Sequence, residues 1–510
     1  MKRKTTEKKS QSSSGLFRTL GLDAGAMPRT RPMYRALVDL LERGLARGTL
    51  APGVQLPPER DLARALEVSR TTVVSAYREL EAKGLVRGYV GRGTFVSARP
   101  DPGSAPFAWR GKVAAAALQS DDSTVKELMR VAADPTLTSF AAGQPALDRF
   151  PTAVFQQAVG TVLSRDAIAA WRNGPTEGQP RLRAAIGARF GGAPDDILVI
   201  TGAQQGLDLL SRCLIDPGDT VIIDRPGYLG AIHSFRIAGA HLVGWDIRRA
   251  DVDELEELLL RYRPKLIYLN PTYQNPSGIT LGIRVRREVL ELAERYRVPI
   301  IEDDTYRELS LHTPPPPSLY ELDEMHTIVI HLNTFSKTLV PGLRLGWITA
   351  VRPIVEQLAL IKQRVDLHTQ NLSQLVVADL LETGAFDRHV AGLRGEHRRR
   401  RDALVQALRE HVGAGRLRFT VPEGGMFLWC QLTGHVRADD VQRHALRDAI
   451  VFVTGEPFYA DRGGTQELRI CYTAHPPEEG VRAAKCLARS IAEAHRQTTR
   501  EVPAIAMAMA

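Results

Sequence analysis

The chain has 510 residues, which is enough for two to four domains with cores of their own, and its composition is that of a soluble globular protein. The sequence contains no apolar run near the ~18–20 residues that a membrane-spanning helix needs, and its N-terminus lacks the apolar core of a secretory signal. The four cysteines form no CxxC pair, which argues against a disulfide framework and a zinc site. We therefore expect a cytoplasmic protein without a membrane anchor and without a metal.

The formal charge of +9 is concentrated at the N-terminus. Residues 1–100 contain 19 Lys and Arg against 9 Asp and Glu, whereas the remainder of the chain contains 48 against 49. Five of the 19 cations lie in residues 2–9 and are consistent with a solvated tail, but the segment remains basic without them. This asymmetry predicts that the N-terminal part alone binds a polyanion.

Changes of composition along the chain predict its domain organisation. Residues 1–27 are rich in Lys, Ser and Gly, which is typical of a disordered basic tail. Residues 28–97 form a compact module, and 98–138 begin with the Pro- and Gly-rich stretch ARPDPGSAP, which is typical of a linker. A large domain is expected over 139–497, followed by a short tail over 498–510.

In the compact module, the stretch LPPERDLARALEVSRTTVVSAYRELEAKG predicts two short helices joined by a tight turn. Ser69 is a favourable N-cap for the second helix. On that helix Val73, Ala76, Tyr77 and Leu80 recur at helical spacing, so they are expected to face the core.

The exposed N-terminus of the second helix would carry Arg70, Thr71 and Thr72, where a recognition helix meets base edges and phosphates in the major groove. The following stretch LVRGYVGRGTFV predicts two strands that form a wing with a cation at its tip. A helix–turn–helix can also be plain scaffold, with Arg70 a solvated charge, and the module alone leaves that alternative open.

Together these pieces resemble the winged helix–turn–helix of GntR-type bacterial regulators. The matching stretches are LPPERDLA, VSRTTV and GRGTFV. The resemblance implies contacts with double-stranded operator DNA through Arg60, Arg70, Thr71, Thr72 and the wing residues Gly91 and Arg92.

The large domain alternates short apolar runs with helical segments. The runs are ILVIT (197–201), TVIID (220–224), KLIYLN (265–270), VPIIEDD (298–304) and TIVIHL (327–332). Such runs, bounded by turn residues, are typical of buried parallel strands. With helices between them they predict an α/β fold that has a mostly parallel central sheet.

The most informative stretch is NTFSKTLVPGLRLGW (333–347), because it places Thr334, Lys337 and Arg344 close together. A lysine amine forms a Schiff base with an aldehyde, and an arginine grips a phosphate with a rigid fork of donors. This combination predicts pyridoxal phosphate (PLP) as the cofactor. We expect Thr334 and Arg344 to hold its phosphate together with the backbone amides of Gly202, Ala203 and Gln204, which open a helix.

Further polar groups follow predicted strands at their carboxyl ends, where open α/β sheets bind ligands. Asp303 would pair with the pyridine nitrogen, which makes the ring an electron sink. Tyr306 and Asn275 would hydrogen-bond the 3-oxygen of the ring, and Tyr228 would stack on its face. Arg469, in the strand ELRICYT, would hold the carboxylate of an amino acid.

Each of these features alone has a plainer explanation. NPSG (275–278) is a common turn, Asp303 and Asp304 could cap a helix or bind a metal, and Arg469 could be a surface residue. Their order, spacing and placement at strand ends, however, resemble fold-type I aminotransferases from about residue 140 to 495. The resemblance implies that Lys337 binds the cofactor covalently with Asp303 and Tyr306 as its catalytic partners, and that Phe427 lies near the substrate.

One position departs from the family pattern. NGPTEGQPRLRAAI (173–186) resembles a motif that usually opens with tyrosine, and the family's tyrosine reaches the cofactor phosphate across a dimer interface. Asn173 stands at that position here. The departure argues against efficient transamination but not against PLP binding.

A GntR-type winged helix joined to an aminotransferase-like domain resembles the MocR/GabR-type regulators. The resemblance implies a head-to-tail homodimer in which the large domain senses an amino acid, an amine or PLP and the linker transmits the change to the DNA-binding modules. Two alternatives stay open. Sustained turnover with an oxo acid would favour a working aminotransferase that carries an accessory winged helix. A promoter response independent of Lys337 would favour a DNA-binding protein that uses PLP only as a structural ligand.

Overall fold

The computed structural model describes residues 33–46, 50, 53–66, 68–89, 93–97, 130 and 134–508. The predicted tail 1–27, most of the predicted linker 98–138 and the wing residues 90–92 lie outside the described residues. The chain divides into two compact units, Met1–Leu118 and Gln119–Ala510.

The described part of the first unit contains three helices and a two-stranded antiparallel sheet. These elements are α1 (Met33–Ala46), α2 (Glu59–Ala65), α3 (Arg70–Ala82), β1 (Val86–Tyr89) and β2 (Gly93–Val96). Ser69 caps α3, because its Oγ accepts a hydrogen bond from the amide of Thr72 at 3.1 Å. The four residues predicted to face the core are at most 5% exposed and pack against apolar side chains of α1 and α2. The predicted helix–turn–helix and its two wing strands are thus confirmed.

The second unit contains a large α/β layer structure and a smaller C-terminal sheet. Its strands are β3 (Thr138–Ser139), β4 (Ile197–Ile200), β5 (Thr220–Arg225), β6 (His241–Asp246), β7 (Leu266–Leu269), β8 (Ile300–Asp303), β9 (Val329–Thr334), β10 (Gly346–Thr349), β11 (Leu417–Phe419), β12 (Phe427–Leu432), β13 (Ile450–Val451), β14 (Val453–Thr454) and β15 (Glu467–Cys471). Its α-helices are α4 (Thr152–Trp171), α5 (Pro180–Phe190), α6 (Ala203–Leu214), α7 (Leu229–Ile237), α8 (Val252–Tyr262), α9 (Ile283–Tyr296), α10 (Leu319–Leu322), α11 (Arg352–Asp366), α12 (Asn371–Glu382), α13 (Ala385–His411), α14 (Ala438–Ala445) and α15 (Pro477–Ala508). The last helix therefore extends into the segment predicted as a C-terminal tail.

The central sheet has seven strands in the order β4-β10-β9-β8-β7-β5-β6. The pairs from β9 to β6 are all parallel, whereas β10 is antiparallel to both of its neighbours. The five predicted runs coincide with β4, β5, β7, β8 and β9, so the mostly parallel sheet is confirmed. The antiparallel β10 follows from its connection, because the chain returns from β9 through a short loop instead of a crossover helix.

Helices cover both faces of the central sheet. In β7, Leu266 and Tyr268 belong to a core shared with α6, α7 and α11. Ile267 and Leu269, which point to the opposite face, belong to a core shared with α8 and α9. Burial on both faces explains why the strands are continuous apolar runs rather than alternating ones.

The smaller sheet has the order β11-β12-β15-β14 and packs against α13, α14 and α15. It carries two predicted effector-site residues, because Phe427 begins β12 and Arg469 lies in the middle of β15. Within the described residues no helix is both long enough and apolar enough to cross a membrane.

Candidate active site

Lys337 lies in the loop that connects β9 to β10, at the carboxyl end of β9. Its Nζ donates a hydrogen bond to the carbonyl oxygen of Gly143 at 2.7 Å. Burial is the main cause that lowers the pKa of Lys337 to about 8, and the charges of Arg469 and Arg344 lower it further. Near pH 7, a larger fraction of this amine is therefore uncharged than for a lysine in water. The uncharged amine is the nucleophilic form.

The N-terminus of α6 and Arg344 form a cradle suited to a phosphate. Gly202 precedes α6 with a φ of +82°, and Nη2 of Arg344 donates to the carbonyl oxygen of Thr201 at 3.1 Å. A Cβ on Gly202 would lie 2.8 Å from Nη2 of Arg344, so a larger residue here would displace the guanidinium or change the turn. Ala203 begins α6, which has no side-chain cap, so its first amides are suited to an anion.

Two predicted phosphate residues have well-defined side-chain partners. The side chain of Gln204 donates to Ser234 Oγ at 3.0 Å, so its backbone amide rather than its side chain is the candidate donor. Thr334 ends β9, and its hydroxyl lies 2.9 Å from the carbonyl oxygen of Leu345. That contact fixes the side chain beside the loop that carries Lys337.

Asp303 ends β8 and is almost completely buried. Its Oδ2 accepts from the hydroxyl of Tyr268 at 2.8 Å, and its Oδ1 accepts from Thr305 Oγ1 at 2.5 Å. Burial raises the pKa of Asp303, and these donors partly oppose that effect. The neighbouring Asp304 interacts instead with His331, at 3.4 Å. The two carboxylates therefore have different partners, and Asp303 is the one suited to a buried cationic nitrogen.

Asn275 contacts both Tyr306, the predicted partner of the cofactor ring, and Arg469, the predicted anchor of a carboxylate. Its Nδ2 donates to the hydroxyl of Tyr306 at 3.1 Å, and its Oδ1 accepts from Nη1 of Arg469 at 2.7 Å. The ring of Tyr306 meets that of Phe427 edge to face at 5.7 Å. Tyr228, which directly precedes α7, is partly buried, and burial raises its pKa to about 12.

Arg469 is a buried cation with few partners. Besides Asn275, it donates from Nη2 to the carbonyl oxygen of Ala141 at 2.5 Å, whereas its Nε has no hydrogen-bond partner among the described residues. The guanidinium lies 4.1 Å from the ring of Phe427 and 4.9 Å from that of Phe458. A buried guanidinium that faces neutral oxygens and aromatic rings is well suited to an incoming carboxylate.

Several residues of this site were not predicted from the sequence. Ala141 and Gly143 contact Arg469 and Lys337 through backbone carbonyls, which give no signal in side-chain chemistry. Asn270 was not predicted either. Its amide donates to Asp224 at 2.8 Å, and its side-chain oxygen accepts from the amide of Asn275 at 2.7 Å. The strand-end position of Asn270 after KLIYL was the one available signal.

Asn173 lies outside this cluster of contacts. It is exposed, and its Oδ1 lies 3.4 Å from Nε2 of His368. His368 and Arg344 line the same cavity of about 840 Å³, which also includes Thr201 and Gln204. The departure from the tyrosine pattern therefore adjoins the predicted phosphate cradle.

The predicted DNA-contacting residues lie at the N-termini of α2 and α3. Arg60, Arg70 and Thr71 are exposed. The hydroxyl of Thr72 lies 2.8 Å from that of Ser69. The predicted wing residues Gly91 and Arg92 lie outside the described residues.

Two family models match this chain. Residues 135–487 match the model described as aminotransferase class I and II. The chain belongs to this family. Residues 33–96 match the model described as bacterial regulatory proteins, gntR family, so a GntR-type helix–turn–helix domain precedes the aminotransferase-like domain.

Relatives of both kinds resemble this chain. It is 36% identical over 384 residues to 2-aminoadipate transaminase of Thermus thermophilus, an alignment that covers 74% of this chain and 96% of the relative. It is 30% identical over 454 residues to the HTH-type transcriptional regulator YdfD of Bacillus subtilis, covering 87% and 93%. It is also 30% identical over 427 residues to the probable rhizopine catabolism regulatory protein MocR of Rhizobium meliloti, covering 82% and 86%.

Solved structures share the fold of the large unit. The α-aminoadipate aminotransferase LysN of Thermus thermophilus, complexed with N-(5'-phosphopyridoxyl)-L-leucine, matches with a TM-score of 0.72 at 34% identity. The match covers 76% of this chain and 99% of LysN. Kynurenine aminotransferase of Pyrococcus horikoshii matches with the same score at 32% identity, covering 75% and 98%. The second unit thus has the fold of PLP-dependent aminotransferases.

Proposed function

We propose that this protein is a PLP-dependent transcriptional regulator that binds operator DNA through its first unit and senses an amino acid or amine through its second. The observation that carries this proposal is the layout of the chain, in which a GntR-type domain at 33–96 precedes an aminotransferase domain at 135–487. The confinement of the basic excess to residues 1–100 supports DNA binding by that part. Relatives that are named as regulators span both domains.

The arrangement around Lys337 fits PLP. The partly neutral amine of Lys337 is suited to covalent attachment, the cradle at Gly202 and Arg344 to the phosphate, and the buried Asp303 to a protonated ring nitrogen. Asn275 and Tyr306 form a hydrogen-bonded pair that would orient the ring oxygen. When bound, the cofactor supplies an electron sink. Tyr228, Thr334, Ala203 and Gln204 complete the proposed binding set.

The effector that this site favours carries a carboxylate. Arg469 is the proposed anchor, because its Nε is without a partner among the described residues and its other contacts are to neutral oxygens. Phe427 packs on the guanidinium and limits the space beside it. A carboxylate would replace the carbonyl of Ala141 as a partner of Nη2, and this exchange would couple effector binding to the segment that follows the proposed linker.

A homodimer fits one exposed surface of the large unit. Ile168, Trp171 and Leu367 are 72%, 66% and 61% exposed, and they lie in the chain beside Asn173 and His368, which contact each other. Exposed apolar side chains grouped in this way mark protein–protein contact surfaces. We propose that a second copy covers them in a head-to-tail dimer, next to the phosphate side of each site.

The test combines DNA footprinting with turnover measurements on the full chain. A regulator is expected to protect a site near its own gene, and amino acids should change that protection only when PLP is present. The second candidate function is a working aminotransferase, which the predicted catalytic groups around Lys337 and the 36% identity to a transaminase favour. Sustained conversion of an oxo acid without any footprint would establish that candidate and overturn the regulator.

A further inference from the structure

Arg70, the proposed base-reading residue of α3, is held by a carboxylate of the preceding helix. Glu59 is the first residue of α2 and Arg70 is the first residue of α3. Oε2 of Glu59 accepts from both Nε and Nη2 of Arg70, at 3.2 and 3.0 Å. The loop before α2 is itself anchored, because the buried Tyr77 donates its hydroxyl to the carbonyl oxygen of Pro57 at 2.7 Å.

This contact has little value for folding stability. The side chains of Arg70 and Glu59 are 58% and 35% exposed, and exposed ion pairs contribute little to the free energy of unfolding. Its geometric effect is larger, because a guanidinium has five N–H donors in a fixed plane. Glu59 occupies the edge formed by Nε and Nη2, so the two N–H groups of Nη1 and the second one of Nη2 point away from it.

The free edge of Arg70 matches one base. Two donors side by side are complementary to O6 and N7 of guanine in the major groove, which is the commonest specific contact of arginine with DNA. A carboxylate directly behind the guanidinium also opposes a competing contact with the DNA backbone, because it repels phosphates. An arginine without such a partner would be free to rotate towards either the guanine or a phosphate.

We propose that Glu59 is a positioning residue that presents the end of Arg70 to a guanine and thereby determines base preference at one position of the operator. This inference rests on the proposed DNA-binding function and adds a residue that touches Arg70 rather than DNA. It requires that replacement of Glu59 change the base preference of DNA binding and leave the stability of the fold unchanged.

Glu59→Gln is the decisive variant, and Asp61→Asn is its matched control. Asp61 also lies on α2, and its carboxylate pairs with Arg64 at 3.8 Å instead of Arg70. Both substitutions remove one negative charge from the same short helix, so they change long-range attraction to DNA similarly. Equal melting temperatures of the three proteins would show that neither substitution disturbs the fold.

The experiment begins with selection of duplex DNA from a random library by the full-length parent protein. Fluorescence anisotropy then measures binding to the selected duplex and to single base-pair substitutions at fixed salt. We expect one guanine whose replacement weakens the parent by about fivefold or more, and we expect Glu59→Gln and Arg70→Ala, but not Asp61→Asn, to lose that preference. A guanine preference that survives in Glu59→Gln, or that survives in Arg70→Ala, overturns the inference. A parent that selects no sequence overturns the proposed DNA-binding function itself.

Discussion

The amine of Lys337 offers a direct test of the electrostatics of the site. Burial lowers the pKa of Lys337 to about 8, whereas a lysine in water has a pKa near 10.4. The amine is therefore half neutral at a pH about two units lower than in water. Only the neutral amine attacks an aldehyde. We therefore predict that the rate of covalent PLP attachment to the cofactor-free protein rises with pH and levels off above about 8.

The measurement is stopped-flow absorbance between pH 6 and 10. A lysine derivative blocked at its α-amino group, run under the same conditions, corrects for the ionisation of PLP itself. A ratio of the two rates that does not change with pH would contradict the lowered pKa. Lys337→Ala should show no covalent attachment after borohydride reduction.

Asp224 is a buried carboxyl group that the proposed chemistry does not use. Its Oδ1 has no hydrogen-bond partner among the described residues, and burial raises its pKa to about 7. The folded protein thus keeps a proton that the unfolded chain releases near pH 4. The resulting stabilisation is fully present below that pH and is lost as the pH rises through about 7.

We predict that Asp224→Asn reduces the loss of thermal stability between pH 5 and pH 8. An amide stays neutral over this range, and its oxygen can still accept from the amide of Asn270. The effect should be on the order of 1–3 kcal/mol, measured as melting temperatures of parent and variant at both pH values. Glu257→Gln, an exposed carboxylate on α8, is the control and should change nothing. Parallel pH profiles for parent and Asp224→Asn would refute the assignment.

At the scale of elements, apolar periodicity and strand ends predict which of the candidate residues lie close together. Val73 and Leu80 are predicted to face the core from their helical spacing, which depends on local sequence alone. The strands before Asn275 and Asp303 are continuous apolar runs, which predicts that they are buried on both faces. Because carboxyl ends of parallel strands share one edge of a sheet, these polar residues were expected to meet there. The structure brings Asn275, Tyr306 and Arg469 into direct hydrogen-bonded contact.

What the sequence did not predict depends on backbone atoms and on distant strands. The carbonyls of Ala141 and Gly143 contact Arg469 and Lys337, but a carbonyl oxygen is common to every residue. The pairing of Arg70 with Glu59 joins two helices across a turn, and neither residue type alone indicates which partner it takes. Such contacts are set by tertiary geometry, which a residue pattern does not contain.

The turn before α6 provides a prediction at this scale. Gly202→Ala places a Cβ 2.8 Å from Nη2 of Arg344, at a φ of +82° that alanine rarely adopts. We expect PLP affinity to fall by about tenfold or more, because the arginine must move or the turn must change. Absorbance titration of the cofactor-free protein measures this loss.

Gly342→Ala is a matched control for that substitution. Gly342 lies in the same loop as Arg344, and a Cβ there would meet no atom within 4 Å. Its affinity for PLP should equal that of the parent. Equal affinities of parent and Gly202→Ala would show that the phosphate does not bind in this cradle.

At the scale of the whole molecule, the two proposed activities lie in different parts of the chain. The first 100 residues carry the entire basic excess, whereas the remainder has 48 Lys and Arg against 49 Asp and Glu. DNA binding should therefore depend steeply on salt, with a log–log slope of about −0.9 for each phosphate contacted. Arg60→Ala, which removes an exposed cation of the first unit, should make the slope shallower, and binding that hardly depends on salt would contradict an electrostatic contact through this unit.

The two activities should be separable by single substitutions. Lys337→Ala removes the group that would hold PLP but leaves every residue of 33–96 in place, so we expect it to bind operator with the affinity of the parent. Arg70→Ala should have the opposite effect: it should attach PLP normally and bind operator about fivefold or more weakly. Anisotropy on operator DNA and the visible absorbance of bound PLP measure these two properties in the same preparations.

Transcription assays extend this separation to regulation. In a reporter strain, Lys337→Ala should occupy the operator yet give the same output with and without added amino acid, because the proposed sensing step needs the cofactor. Arg469→Ala should keep the bound PLP and lose only the response to effectors that carry a carboxylate, since it removes the guanidinium proposed to hold that group. If Lys337→Ala still switches with effector, sensing does not pass through PLP, and the cofactor is a structural ligand of a DNA-binding protein.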